Sequence, residues 1–222
     1  MKFRRTATTE VEAAPELLPP VTLASRLLPR VFEGIPDRDK LTVLDLGPGR
    51  AQTVEYLANL GIPCRVIFVD SLQVIEELKA HDEDNPATFN DALGLWRQHI
   101  AVSGQEPIDV VLFWDYLHRF DLMAVEALST VLQPHMQPHT RGHGFGCLHS
   151  DQPIFESHYQ LNADLHIIMQ RYADLTLPYA HAQQVLNEFF ICLRITKGTL
   201  LQKGYLELLF EAGGGERRAP II

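Results

Sequence analysis

The chain has 222 residues, enough for one well-buried domain and short for two. Its formal net charge is -9 with no basic stripe, so it lacks the means to bind a nucleic-acid backbone, and nucleic acid is excluded as an expected partner. The apolar runs are too short to cross a membrane or to form a signal peptide. The three cysteines are scattered along the sequence: Cys64, Cys147 and Cys192. Both observations predict a cytoplasmic protein.

The first 40 residues are predicted to form a polar arm followed by a helix. Residues 1 to about 20 are mostly polar and end in "LLPP". Residues 21–35 carry apolar side chains at helical spacing, with Gly34 as a stop. We expect this helix to lie over the ligand crevice of the domain that follows.

From residue 41 onward, strand and helix patterns alternate up to residue 211. Because alternating strands and helices form parallel strands with right-handed crossovers, we expect an α/β, Rossmann-like, doubly wound sheet of about six or seven strands. The runs "FFICLRIT" and "GYLELLFEA" add a C-terminal antiparallel hairpin. No clear third strand occurs between Asp82 and Pro107. Residues 212–222 are predicted to be a flexible tail.

The region after the central strand "IDVVLFWD" carries weaker patterns. A Pro- and His-rich loop is predicted to lead into a short strand, "HGFGCLHS". Beyond it, "SHYQLNADLHIIMQRY" is predicted to be extended and "YAHAQQVLNEF" helical.

The stretch "VLDLGPGRAQ" is a buried strand that runs into a glycine turn. Gly47 and Gly49 would let the backbone approach a ligand closely, and the next helix begins with free N–H groups. The third glycine of a dinucleotide loop is missing, because Gln52 stands there. Asp45 precedes the turn, and Asp70 ends the next strand, where a carboxylate can bind both hydroxyls of a ribose.

These motifs resemble the class I S-adenosylmethionine-dependent methyltransferases. "VLDLGPG" is similar to their first motif, "VIFVDS" to their acidic second-strand end, and "IDVVLFWDYLHRFD" to the fourth strand of their small-molecule branch. The chain is closer still to uncharacterised bacterial methyltransferase-like proteins of similar length. Those proteins share a proline in the glycine loop and an ending like "LLQKGYLELLF".

The resemblance implies S-adenosylmethionine as the cofactor and a small-molecule methyl acceptor. Asp45, Gly47 and Gly49 would hold the methionine part and Asp70 the ribose. Ser71 and Leu72 would lie near the adenine. Asp115, which stands at the end of the fourth strand, is expected to shape the cofactor pocket and is the last of the predicted cofactor-binding residues.

His118 and Tyr116 follow the fourth strand and are the candidate catalytic residues. His118 could accept a proton from an acceptor hydroxyl or amine. The alternative interpretation is that "DYLHRFD" is a turn whose polar groups cap a helix and whose aromatic residues pack.

Two other functions stay open at this point. The missing third strand and Ala51 in place of a third glycine favour a methyltransferase-like module that has lost catalysis and only binds or regulates. A nicotinamide-dependent oxidoreductase would share Asp70, but the glycine spacing and a hydride-transfer constellation are absent from the sequence.

Histidines and tryptophans suggest no further site. One segment holds four histidines: His135, His139, His143 and His149. Prolines and glycines interrupt this segment, and no cysteine or carboxylate completes a tetrahedral set of ligands. We therefore predict no metal site here. Trp96 and Trp114 lie in apolar patterns that predict core packing.

Overall fold

The computed structural model describes residues 16–33, 39–81, 84–102, 104, 106–201 and 205–212. These residues form nine strands in two sheets and six α-helices. The strands are β1 (Val21–Ala24), β2 (Leu41–Asp45), β3 (Cys64–Phe68), β4 (Ile108–Trp114), β5 (Met136–Gly146), β6 (Ile154–Leu161), β7 (His166–Thr176), β8 (Leu193–Leu200) and β9 (Leu206–Ala212). The helices are α1 (Leu28–Val31), α2 (Ala51–Ala58), α3 (Ser71–Lys79), α4 (Phe89–His99), α5 (Leu122–Leu132) and α6 (Gln183–Phe189).

The main sheet has the strand order β3-β2-β4-β5-β9-β8. The β3/β2, β2/β4 and β4/β5 pairs are parallel, whereas β9 runs antiparallel to both of its neighbours. Strands β2 and β4 are buried along their whole length, as expected when helices cover both faces of a parallel sheet. The predicted Rossmann-like sheet and its C-terminal antiparallel hairpin are confirmed.

Helices cover the main sheet from both sides. Helix α5 packs against α4 and α6, and the fully buried Trp96 indole donates a hydrogen bond to the Ala124 carbonyl at 3.0 Å between α4 and α5. The connection from β2 to β3 moves across the sheet in the direction opposite to the connections from β3 to β4 and from β4 to β5. Because such crossovers are right-handed, α2 lies on the opposite face of the sheet from α4 and α5. The prediction that Trp96 and Trp114 belong to the core is confirmed, because both are fully buried.

A helix takes the place of the third strand in the connection from β3 to β4. Among the described residues between Asp82 and Pro107, α4 is the regular element, and β2 pairs directly with β4. A capping box between Thr88 and Asp91 begins this helix.

The helix predicted over residues 21–35 is wrong for its first part. Val21–Ala24 is a strand that pairs antiparallel with β7, and only the single turn Leu28–Val31 is helical. Val21 and Leu23 are buried while their neighbours are exposed, so the segment follows the two-residue period of a strand. The rest of the predicted arm, residues 1–15, and most of the tail lie outside the described residues.

Strand β5 is longer than predicted. It begins at Met136 and includes the Pro- and His-rich segment that we expected to be a loop. That segment extends along the edge of β4. The pairing of β4 with β5 shifts in register between Ile108 and Val110, which accommodates the irregular residues.

The segment predicted to be extended forms a hairpin, β6 and β7, to which β1 adds a third strand. This small sheet packs against α2, where the Leu161 amide donates to the Thr53 hydroxyl at 3.1 Å. The predicted helix in "YAHAQQVLNEF" is confirmed as α6.

None of the helices formed by the described residues is long and apolar enough to span a membrane.

Candidate functional site

The candidate site lies at the carboxyl ends of β2 and β4. These two strands are neighbours in the sheet, but the chain leaves them in opposite directions, to β3 on one side and to β5 on the other. In open α/β sheets, ligands bind in the crevice at such a switch point. The structure brings Asp45 and Asp115 to this edge of the sheet, together with the start of α3 at Asp70.

The glycine turn is packed against the protein's own side chains. A Cβ atom on Gly47 would lie 3.0 Å from Asp45 Oδ1 and 3.3 Å from Trp114 Nε1. Gly49 adopts a left-handed backbone with φ +70°, and a Cβ there would lie 3.0 Å from the Phe68 ring. The backbone conformation therefore favours glycine at position 49 whatever the turn binds, and a side chain at position 47 would crowd Asp45 and Trp114.

Asp45 is a buried carboxylate at the end of β2. Only 2% of its surface is exposed, and its Oδ1 accepts hydrogen bonds from Trp114 Nε1 at 2.6 Å and from the Gly47 amide at 2.8 Å. Burial raises the pKa of Asp45 to about 6, although both hydrogen bonds oppose the rise. This carboxyl group therefore changes its charge in the range just below neutral pH.

Trp114 connects Asp45 to the small sheet. Its backbone has φ +51°, an uncommon conformation for a bulky residue. The indole stacks on Tyr159 of β6, with ring centroids 5.2 Å apart and the planes 4° from parallel. A second contact from the turn joins the Arg50 guanidinium to His158 of the same strand. The small sheet thus covers the glycine turn.

Asp70 and its two neighbours begin helix α3. Asp70 is exposed, and its Oδ1 accepts from the amides of Leu72 at 3.2 Å and Gln73 at 3.4 Å, so it caps the helix. The Ser71 hydroxyl is buried without a hydrogen-bond partner among the described residues. Leu72 lines a cavity of 180 Å³ together with Arg119.

A second cavity, of 240 Å³, lies between the end of β4 and strand β6 and includes His118 and Asp115 in its lining. His118 is 1% exposed, and neither of its ring nitrogens has a partner among the described residues. Burial, and then the neighbouring His181, lower the pKa of His118 to about 3, so the ring is neutral at physiological pH. Asp115 receives a fork from Arg119, with Oδ2 lying 2.7 Å from Nη2 and 3.1 Å from Nε, while its Oδ1 is buried without a partner.

No family model matches the chain, and no curated protein matches it either. Among solved structures, similarity extends to the glycopeptide N-methyltransferase MtfA complexed with S-adenosyl-L-methionine, with 8% identity over 84% of this chain and 94% of that one, at a TM-score of 0.43. The 1,6-didemethyltoxoflavin-N1-methyltransferase of Burkholderia thailandensis matches with 16% identity over 84% of this chain and 77% of that one, at a TM-score of 0.44. The mitomycin 7-O-methyltransferase MmcR matches with 15% identity over 78% of this chain and 49% of that one, also at 0.44. Likenesses this distant carry no conclusion about what the chain binds or does.

The predicted site residues fall into two groups in the structure. Asp70, Leu72, Asp115 and His118 lie at cavities or at the surface. The others are Asp45, Gly47, Ser71 and Tyr116, which are buried, and Gly49, which is half-buried.

Tyr116 lies in the core, with 0% of its surface exposed and no partner for its hydroxyl among the described residues. Burial, and then the Asp115 carboxylate, raise its pKa well above the usual value, so it is a neutral phenol. It does not line the cavity that holds His118.

Three residues of the site were not predicted from the sequence as site residues. Trp114 stands at the end of the central strand, the position from which the motif "FWDYLHRFD" starts, but its apolar context predicted packing only. Tyr159 lies two residues from the buried Ser157, a strand spacing that indicated one shared face. Arg119 gave no signal beyond its four-residue spacing from Asp115.

The histidine-rich segment gathers no metal ligands. No group of three or more potential metal-binding side chains occurs in the part of the chain that the structure describes. His135 bonds the Glu106 carbonyl at 2.9 Å, His139 contacts Asp109 at 3.1 Å, and His143 contacts Glu207 at 2.8 Å.

Proposed function

We propose that the protein is an S-adenosylmethionine-dependent methyltransferase that acts on a small-molecule acceptor. The observation that carries the proposal is the placement of Asp45, the glycine turn and Asp70 around the switch point of a Rossmann-like sheet. The resemblance of the sequence motifs to class I methyltransferases, and to their bacterial relatives of similar length, supports the same assignment.

The residues around Asp70 fit the nucleoside half of the cofactor. Asp70 is exposed, and its Oδ2 takes no part in capping α3, so it can accept hydrogen bonds from ribose hydroxyls. The Ser71 hydroxyl is buried and has no partner in the part of the chain that the structure describes, and Leu72 adds an apolar wall to the neighbouring cavity. These residues would hold the ribose and the base.

The residues around Asp45 fit the methionine half only after a rearrangement. The indole of Trp114 already donates to the Asp45 carboxylate and lies beside Gly47. We infer that Trp114 moves away from Asp45 when a ligand enters the turn.

When bound, this cofactor supplies a methyl group on a positively charged sulfur: the methyl group passes to the acceptor, the sulfur becomes a neutral thioether, and the acceptor loses a proton. The chain's own contribution is to orient the acceptor and to exclude water. His118 is neutral and its ring nitrogens have no partner among the described residues, so one of them can accept a hydrogen bond from the acceptor's hydroxyl or N–H group and orient it. With a pKa of about 3 the ring is a weak base, so the proton that the acceptor loses passes to solvent. Asp115, fixed by Arg119, can orient the acceptor through its free Oδ1.

We predict that S-adenosylhomocysteine binds the wild-type protein in the micromolar range, which isothermal titration calorimetry can measure. Asp70→Asn should weaken binding by about 10- to 100-fold, because the amide cannot accept from both ribose hydroxyls. The new side chain keeps an oxygen that caps α3, so the free energy of unfolding should stay within about 0.5 kcal/mol of the wild type. Asp70→Ala should weaken binding as strongly, but with a loss of helix stability as well.

The control for this titration is Asp164→Asn, the same change at an exposed position in the turn between β6 and β7. Its affinity should equal that of the wild type. Equal binding by the wild type and Asp70→Asn would disprove the ribose assignment.

A second candidate function is a methyltransferase-like module that no longer catalyses. The enclosed Asp45 and the small sheet over the glycine turn favour it, since a filled crevice needs only packing. Failure of S-adenosylhomocysteine to bind at about a hundred times the expected micromolar range would select this candidate. The nicotinamide alternative rests on Asp70 alone, and saturable enhancement of NADH fluorescence would revive it.

We further propose a cytoplasmic location and no nucleic-acid partner. The net charge of -9 supports the second statement. All three cysteines are free thiols, which supports a reducing compartment.

A further inference from the structure

The 240 Å³ cavity beside His118 has mostly aromatic and apolar walls. Phe145 of β5 and Tyr159 of β6 pack against each other, with ring centroids 5.7 Å apart and an angle of 31° between the planes, and together form one aromatic wall. Met169 and Tyr205 extend the same lining, which also includes the half-buried Ile154. Stacked or tilted ring walls bind flat ring systems better than flexible chains. The volume lies below that of pockets for drug-sized ligands, which limits the occupant to a small ring system.

Two residues of the lining carry polar atoms without a hydrogen-bond partner among the described residues. Both His118 ring nitrogens and Asp115 Oδ1 are buried without a hydrogen bond among the described residues. A buried acceptor left unpaired costs about 1–3 kcal/mol, so a ligand that donates a hydrogen bond to one of them recovers this energy. The second oxygen of Asp115 is fixed by Arg119, which makes the free oxygen a rigid acceptor.

The charge of the cavity selects against acidic ligands. Asp115 is the carboxylate in its lining, and Arg119, which pairs with that carboxylate, also donates to the Phe155 carbonyl at 2.8 Å and is thereby occupied. A ligand that carries its own carboxylate would meet Asp115 with no free cation among the lining residues. A neutral hydroxyl or N–H group would meet two acceptors that are unpaired among the described residues, Asp115 Oδ1 and the unprotonated nitrogen of the His118 ring.

We propose that this cavity is the acceptor site of the methyltransferase proposed above, and that it takes small, flat aromatic molecules with a phenolic hydroxyl or ring N–H group. The donor hydrogen of such a molecule bonds to His118, and its ring packs against the aromatic wall that Phe145 and Tyr159 form. The oxygen or nitrogen that carries that hydrogen is the atom to be methylated. The proposal rests on the proposed function, since an acceptor site has a meaning only for a transferase.

The experiment compares 2-naphthol with 2-methoxynaphthalene by isothermal titration calorimetry on the full chain, without cofactor. The two probes share the ring system, but only naphthol has a donor hydrogen. We expect naphthol to bind at least about 10-fold more tightly, because the methoxy compound leaves His118 unpaired. His118→Leu should reduce this ratio to about 2 or less, by the same argument.

Two further variants test the location of the site. His149→Leu makes the same change at an exposed position on the chain and should leave the ratio unchanged. Ile154→Trp places a larger side chain in the lining of the cavity and should weaken both probes by about 10-fold or more. This variant keeps the test decisive if His118→Leu does not fold, which circular dichroism will show.

A ratio near 1 in the wild type, absence of naphthol binding, or a ratio unchanged by His118→Leu would overturn the proposal. Titration with S-adenosylhomocysteine separates it from the proposed function. Naphthol binding with the donor preference but no S-adenosylhomocysteine binding would leave a ligand pocket in a protein that is not a transferase. S-adenosylhomocysteine binding without the donor preference would overturn the acceptor class alone.

Discussion

Glu207→Ala is expected to destabilise the protein by about 3–5 kcal/mol, the cost of breaking a buried charged network. The Glu207 side chain is 0% exposed and accepts from His143 Nε2 at 2.8 Å, from the Arg26 amide at 2.9 Å and from the Leu27 amide at 3.1 Å. The Ser25 hydroxyl also donates to it. Alanine leaves the buried His143 ring and the buried Leu27 amide without this acceptor, as well as the half-buried Ser25 hydroxyl, so urea unfolding at pH 7 should show the loss.

The same carboxylate should also govern stability in acid. Burial alone would raise the pKa of Glu207, but the hydrogen bonds from His143, Ser25 and the Arg26 amide bring it down to about 2. Since the folded-state pKa is lowered, this stabilisation is present above about pH 4.5 and is lost as the pH falls towards 2, with a total of about 3 kcal/mol. Glu207→Ala should lack this part of the acid dependence.

The control for both measurements is Glu211→Ala, the same substitution four residues along β9 at a half-buried position. We expect a loss of less than about 1 kcal/mol and an unchanged acid dependence. This network joins the residues just after β1 to strands β5 and β9 of the main sheet. A loss of similar size in both variants would show that the network does not stabilise the protein.

The sequence predicted the main sheet because each of its strands carries a local signal. Runs such as Ile108–Trp114 are apolar throughout, and the helices between them end at residues that stop a helix, as Gly61 does after α2. The strand at Val21–Ala24 had no such signal, since its partner is β7, some 145 residues away. Four residues can follow either period, and a contact so distant in sequence decides between them.

The candidate site was predictable only in part, for the same reason. Strand ends in a parallel sheet share one edge, which was enough to place Asp45, Asp70 and Asp115 together. Whether each carboxylate is free or engaged depends on side chains from elsewhere. Trp114 donates to Asp45 and stacks on Tyr159. These two contacts depend on the left-handed backbone of Trp114 and on the small sheet, and no local sequence pattern predicts either of them.

Trp114→Phe is expected to destabilise the protein in a pH-dependent way, because it removes the indole donor from a carboxyl group that titrates near pH 6. At pH 8 Asp45 is ionised, and loss of a hydrogen bond to a buried charged group should cost about 2–3 kcal/mol. At pH 5 Asp45 is mostly protonated, so the cost should fall to about 1 kcal/mol. Urea unfolding at the two pH values measures the difference.

The sign follows from the raised pKa of Asp45. The folded protein holds this proton more tightly than the unfolded chain does, so the contribution of Asp45 to stability falls as the pH rises from about 4 to about 6 in the wild type. Without the indole donor, the ionised form is less stable still and the pKa rises further. The fall in stability therefore becomes larger in Trp114→Phe and extends to higher pH.

Trp96→Phe is the matched control, since Trp96 is also fully buried and its indole donates to a neutral carbonyl, that of Ala124. It should cost about 1 kcal/mol at both pH values, because no titrating group loses a partner. If Trp114→Phe shows an equal loss at pH 5 and pH 8, Asp45 does not ionise beside the indole.

Trp114→Phe should also bind S-adenosylhomocysteine at least as tightly as the wild type, because the ligand no longer has to displace the indole from Asp45. Weaker binding would mean that Trp114 is part of the ligand site and not an obstacle to it.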